Sequence, residues 1–190
     1  MAITLNRIGW EDAPSEQTPI DSGNLKQMEN NAEDGINDLL KLISSNMTRY
    51  LNASYNFSHT GSSQYLQEPI KLNKTIDNSN GYLEEGDNGA VIIKAGVHHV
   101  NAKGCFAANH NINNHAAFNL YIRKNGNTIS RIYVDSDYAN TSESLVVFSD
   151  YIEVKEGDKI QLYFACDNEN GSIFGRDDSI ITQMSVQVVD

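Results

Sequence analysis

Residues 118–135 read Phe118-Asn-Leu-Tyr-Ile-Arg-Lys-Asn-Gly-Asn-Thr-Ile-Ser-Arg-Ile-Tyr-Val-Asp135. Phe118, Leu120 and Ile122 alternate with Asn119, Tyr121 and Arg123, and Ile132 and Val134 alternate with Arg131, Tyr133 and Asp135. A two-residue period places the apolar members of each run on one face, which is the pattern of a half-buried strand. Between the runs, Asn125-Gly126 tolerates the left-handed backbone that a tight hairpin needs. The stretch is therefore a β-hairpin.

The same period recurs on both sides. Val100, Ala102, Gly104, Phe106 and Ala108 follow it, as do Ile160, Leu162, Phe164 and Cys166, and Met184, Val186 and Val188. Turn signals separate the runs at Asn80-Gly81, Asp87-Asn88-Gly89, Glu156-Gly157-Asp158 and Asn170-Gly171. Short strands every ten to fifteen residues, with no helical pattern between them, make residues 56–190 an antiparallel sandwich or jelly roll.

Upstream the period changes. Leu25, Met28, Ala32, Ile36, Leu40, Ile43, Met47 and Tyr50 recur at steps of three and four, and the residues between are nearly all polar. This predicts a helix from about Ser22 to Tyr50, with Arg49 among the late cations that suit a helix C-terminus. The stripe is narrow, as in a coiled-coil seam, whereas a helix lying on a globular core shows a wider apolar face. Gly35 weakens the helix by roughly 1 kcal/mol relative to Ala. The expectation is an oligomeric coiled coil with Leu25, Met28, Ala32, Ile36, Leu40, Ile43 and Met47 as its seam; packing on the chain's own core is the alternative. Residues 1–23 form an irregular arm in which Pro14 and Pro19 forbid helix or central strand, so Trp10, Pro14, Pro19 and Ile20 need a surface to lie against. The division is thus 1–23 arm, 24–55 helix and linker, and 56–190 β head.

The chain has 190 residues, 25 acidic against 14 basic, a formal charge of -11 and 39% hydrophobic residues. Its nine Tyr and six Phe argue a folded polar protein. With such a negative balance and no basic cluster, nucleic acid and membrane surfaces are not expected partners. Met1–Trp10 lacks the apolar core of a secretory signal, and no window approaches the ~18 apolar residues of a membrane span. Cys105 and Cys166 sit in apolar strand-like runs and are read as buried free thiols, a bridge between neighbouring strands being the alternative. Asparagine is unusually common, at 23 residues.

No Gly-x-Ser-x-Gly elbow, phosphate loop or His-Glu-x-x-His run is present. The acids Glu84, Glu85 and Asp87, and Asp135 with Asp137, do not define the pair of carboxyls across a cleft that a glycosidase needs. No catalytic residue is assigned. His98 and His99 are adjacent on a strand and point to opposite faces. No resident cofactor or metal set is assigned, but Asp135–Asp137 and Asp167–Gly171 supply the hard oxygens that calcium prefers. The polar loops Asn109–His115, Asp135–Ser142 and Asp167–Asp178 carry isolated rings and one guanidinium, a mixture that suits a saccharide. His110, His115, Asp137, Tyr138, Asn168, Phe174 and Arg176 are the candidate ligand residues. The net charge favours a neutral saccharide over an acidic polymer unless calcium bridges the two.

Two stretches resemble known families. Trp10-Glu-Asp-Ala-Pro-Ser-Glu-Gln-Thr-Pro-Ile-Asp-Ser-Gly-Asn-Leu-Lys-Gln-Met28 resembles the opening of bacteriophage tail and baseplate appendage proteins, where such a run leads into a helix. That resemblance implies an arm attached to the virion and a helix that trimerises. Ala95-Gly-Val-His-His-Val-Asn-Ala, Leu120-Tyr-Ile-Arg-Lys-Asn-Gly126 and Val154-Lys-Glu-Gly-Asp-Lys-Ile-Gln-Leu162 resemble, in order, three strand motifs of the C1q/tumour-necrosis-factor-like jelly roll. The aromatic ending of the animal proteins is missing, Phe174-Gly175 being the nearest echo. This second resemblance implies a jelly-roll head that packs three to an axis. Together they imply a phage or prophage tail or baseplate receptor-binding protein, synthesised in the host cytoplasm and located in the virion. It would be a homotrimer attached to other tail proteins and would recognise a host cell-surface glycan without catalysis. The second reading is a structural or decoration protein of the tail that binds no receptor; a glycan hydrolase ranks last.

Overall fold

The computed structural model describes residues 22–58, 66–94, 96–110, 116–136, 144–166, 170–178 and 180–189. Among these residues the chain forms α1 (Ser22–Ser44), β1 (Asn46–Tyr50), β2 (Tyr55–Ser58), β3 (Leu66–Pro69), β4 (Lys74–Asn78), β5 (Leu83–Glu85), β6 (Val91–Ile93) and β7 (His99–His110). It continues as β8 (Ala116–Lys124), β9 (Asn127–Ser136), β10 (Ser144–Glu153), β11 (Lys159–Cys166), β12 (Asn170–Ile173) and β13 (Gln183–Val188). One sheet runs β2-β12-β7-β13-β1-β4, with β10 also pairing β7; the other runs β5-β6-β11-β8-β9, with β3 also pairing β11. The strand pairings are antiparallel.

The alternation read from the sequence decides which side chains meet between the sheets. Val100, Ala102, Phe106 and Ala108 face Leu120, Ile122, Ile160, Leu162, Phe164 and Cys166, with Met184, Val186 and Val188 beside them in one buried cluster. Phe164 lies 5.1 Å from the Phe57 ring and 6.2 Å from the Phe106 ring, centre to centre. Such aromatic packing adds to the burial itself.

The helix is shorter than its apolar spacing predicts. It ends at Ser44, and Asn46–Tyr50 is a strand between β13 and β4. Met47 is therefore a core residue, 1% exposed, and not part of a helix seam. Arg49 is buried beside it and not a cation at a helix end. The physical reason is local. Ser45 Oγ donates to Lys41 O at 2.5 Å and Asn80 Nδ2 donates to the same carbonyl at 3.3 Å, so a last-turn acceptor finds side-chain donors. Val188 N then donates to Ser45 O at 2.9 Å and starts the sheet ladder. The β unit accordingly begins at Asn46, ten residues before the position expected from the sequence.

Asn125 and Gly126 both have positive φ, as the β8–β9 hairpin requires. The turn before β11 is stitched to this hairpin. Asn125 Nδ2 donates to Asp158 Oδ1 at 2.7 Å, Lys159 N donates to Asn125 Oδ1 at 2.8 Å, and Lys155 N donates to Asp158 Oδ2 at 3.0 Å. Asp158 is buried, and these donors replace its water. By contrast Asn170-Gly171, a turn signal by composition, lies in β12, because β2 and β7 bond it from both sides.

A glycine is required at position 89. Its φ is +71°, and a Cβ there would sit 2.7 Å from Leu72 Cβ and 2.9 Å from Leu72 N. Gly89→Ala is expected to lower stability by about 2 kcal/mol, through left-handed strain plus a clash with backbone. A urea titration of the full chain reads this as a lower midpoint at unchanged slope.

Candidate functional site

Strand register brings the described strand ends that flank the three loops nominated from sequence to one end of the sandwich. His110 pairs with Gly171, Ser144 with Ala108, Ala116 with Ser136 and Cys166 with Phe118. The flanks of segments 111–115, 137–143 and 167–169 therefore share one rim. Of the nominated residues, His110 ends β7, Phe174 is half-buried with its N–H donating to Ala107 O at 2.9 Å, and Arg176 is exposed. His115, Asp137, Tyr138 and Asn168 lie outside the described residues, as do Trp10, Pro14, Pro19 and Ile20. Most of the oxygens considered for calcium also fall there.

Of the acids weighed for hydrolysis, Glu84 and Glu85 have ion-pair partners. Glu84 pairs with Lys94 at 2.5 Å, and Glu85 with Arg49 at 3.5 Å. That ion pair raises the Lys94 ammonium above its ordinary range. Asp87 contributes its carbonyl, which accepts from Ala90 N and from Gln161 Nε2. Both cysteines are buried thiols outside any disulfide. Cys105 Sγ donates to Ile181 O at 3.0 Å, and burial pushes its thiol up, against a smaller opposing pull from Lys103. A thiol so placed is a poor nucleophile near neutral pH.

Two surfaces stand out. Along α1, Leu25, Met28, Ile36, Leu39 and Leu40 are each between 48% and 58% exposed, and Ala32 is exposed with them. Six of the seven seam positions thus stay on the helix, with Leu39 added to the apolar surface. The outer face of the first sheet carries rows such as Ile76, Thr48, Ser185, Lys103, Ser149 and, one row along, Asn78, Asn46, Gln187, Asn101, Tyr151. Ile76, Val147 and Tyr151 are half or more exposed there, Tyr151 stacking on His99 at 5.0 Å.

The outer face of the second sheet holds a feature that the sequence marked only as the polar side of β8 and β9. Tyr163, Tyr121 and Arg131 stand directly opposite one another across β11, β8 and β9. Arg123 lies 4.4 Å from the Tyr163 ring centre and 5.0 Å from that of Tyr121, and Arg131 lies 5.8 Å from Tyr121. Arg131 Nε donates to Asn119 Oδ1 at 2.8 Å, and Arg123 Nη2 donates to Gln67 Oε1 at 2.9 Å. Two arginines among outward residues of paired strands are the signal that could have found it.

No family model matches the chain, and no curated protein matches it. Solved structures do. Murine APRIL covers 76% of this chain with 99% of its own length, at 10% identity and a TM-score of 0.50. The Eiger TNF of S. frugiperda covers 77% with 92% of its own, at 11% identity and 0.47. The globular domain of zebrafish complement 1qA covers 77% with 98% of its own, at 8% identity and 0.42. At such identities the likeness is one of fold: the β unit is a jelly roll of the TNF/C1q-like kind. Among the described residues no helix is long and apolar enough to cross a membrane.

Proposed function

We propose that this chain is a homotrimeric tail or baseplate protein of a phage or prophage, which binds a host cell-surface glycan without catalysis. The observation that carries the reading is α1. It spans 23 residues, and Leu25, Met28, Ala32, Ile36 and Leu40 of its apolar stripe are exposed in the single chain. A helix of this length with an internal glycine is marginal alone, and burying each stripe side chain fully contributes about 1.5–3 kcal/mol, so partner helices are the economical solution. Three-fold packing is what the jelly-roll resemblance implies, and Ile76, Val147 and Tyr151 give the first sheet apolar surface for it. The resemblance of residues 10–28 to phage appendage proteins supplies the virion arm. Three copies of the loop rim around His110, Phe174 and Arg176 would raise a weak single-site affinity by avidity.

Two measurements test this. The full chain is expected to scatter light as a trimer, and Ile36→Asp with Leu40→Asp is expected to leave a folded monomer; a monomeric parent chain overturns the premise. Labelled protein is expected to bind its host cells saturably and to be competed by the host's envelope saccharide. A trimer that binds no host cell instead supports the decoration reading.

A further inference from the structure

We infer that the Tyr121–Tyr163–Arg123–Arg131 cluster on the outer face of the β8–β9–β11 sheet is a second ligand site, one that takes the carboxylate of an acidic saccharide with its sugar ring against Tyr133. The site is distinct from the loop rim and lies on the sheet opposite Val147 and Tyr151, so trimer packing through the first sheet leaves it open.

Charge placement is the first argument. Four cations meet acids among the described residues: Arg49 meets Glu85, Lys94 meets Glu84, Lys124 meets Asp158, and Lys41 meets Asp38. Arg123 and Arg131 meet none among the described residues, although both lie within 6 Å of one tyrosine ring. Cations gathered on one sheet face repel each other. Tyrosine faces and the amide oxygens of Asn119 and Gln67 offset part of that repulsion, and a bound anion would offset more.

Preorganisation is the second. Asn119 and Gln161 are 3% and 5% exposed and Tyr121 is 9% exposed, so the floor is packed before any ligand arrives. These hydrogen bonds use Arg131 Nε and Arg123 Nη2, which leaves the terminal nitrogens of Arg131 for a two-oxygen partner. Tyr133, two residues along β9 and 53% exposed, offers a flat apolar ring beside that edge. A hexuronate stacked there carries its carboxylate near the plane of its own ring, edge-on to a neighbouring guanidinium. The overall charge of -11 disfavours acidic polymers in general, but this face is locally cationic.

The test is calorimetric titration of the full chain with tetragalacturonate, with neutral maltotetraose and with glycerol phosphate. Tetragalacturonate is expected to bind, more weakly as salt is raised, while maltotetraose binds at least about tenfold less well. Arg131→Gln and Tyr133→Ala are each expected to lower tetragalacturonate affinity by about tenfold while the chain still folds cooperatively in urea, and Arg131→Lys to fall between. Equal affinity for maltotetraose, preference for glycerol phosphate, or indifference to Arg131→Gln overturns the inference. Host-cell binding that persists while tetragalacturonate fails to bind sinks this site and leaves the proposed function standing.

Discussion

Phe164→Ala is expected to remove about 3–5 kcal/mol of folding stability, the largest loss from any one apolar side chain here. Phe164 is fully buried on β11 between Phe57 and Phe106, so its ring bridges β2 of one sheet, β7 of the same sheet and its own. Truncation loses the transfer free energy of the ring and leaves a cavity whose walls are strands fixed by ladders on both sides, which cannot collapse. Domains of this size are stable by about 5–15 kcal/mol, so the variant would be near its unfolding threshold at 37 °C. Urea or thermal unfolding followed by tyrosine fluorescence measures the loss. A shift below about 1 kcal/mol would mean that the two sheets are not packed through this residue.

Arg49→Ala is expected to cost about 3–5 kcal/mol, an effect as large as that of a core truncation but polar in origin. Arg49 occupies the inward side of β1 between Met47 and Leu51 and is 6% exposed. From there its Nη1 donates to Gly86 O and Ala90 O, each at 3.2 Å, and its Nη2 donates to Leu72 O at 3.3 Å, with Glu85 Oε2 3.5 Å from Nη1. The guanidinium thus ties the first strand of one sheet to the turn that joins β5 and β6 in the other. Removing it leaves the buried Leu72 carbonyl without this donor and opens a cavity beside Ala90, which is costlier than the loss of the bonds alone. Arg49→Lys keeps the charge but not the planar fork and is expected to recover less than half of the loss. Denaturant unfolding of the three proteins decides this; a lysine variant as stable as the parent would show that charge alone, and not the fork, matters.

The strands legible in the sequence were those with one wet and one dry face: β7, β8, β9, β11 and β13. Others were not. Leu145-Val-Val-Phe148 in β10 is an unbroken apolar run, which carries no period. Met47 and Tyr50 continued a helical spacing while Met47, Arg49 and Leu51 also fit a strand, and pairing with β13 and β4 chose between them. The loop rim was legible as composition, through Asn, His and Asp in short polar runs. The arginine–tyrosine platform was legible only as two strands' outward residues.

By itself the sequence determined the local alternation, the left-handed turn at Asn125-Gly126 and the apolar stripe of α1, because each depends on residues within one or two turns of chain. Tertiary structure decided where the helix stops, that Arg49 is an internal tie, and that Tyr163, Tyr121 and Arg131 stand in one row. Those outcomes depend on inter-strand register, which is fixed by bonds between segments up to about 140 residues apart, such as β1 with β13. A local pattern holds no information about which distant strand will supply its hydrogen bonds.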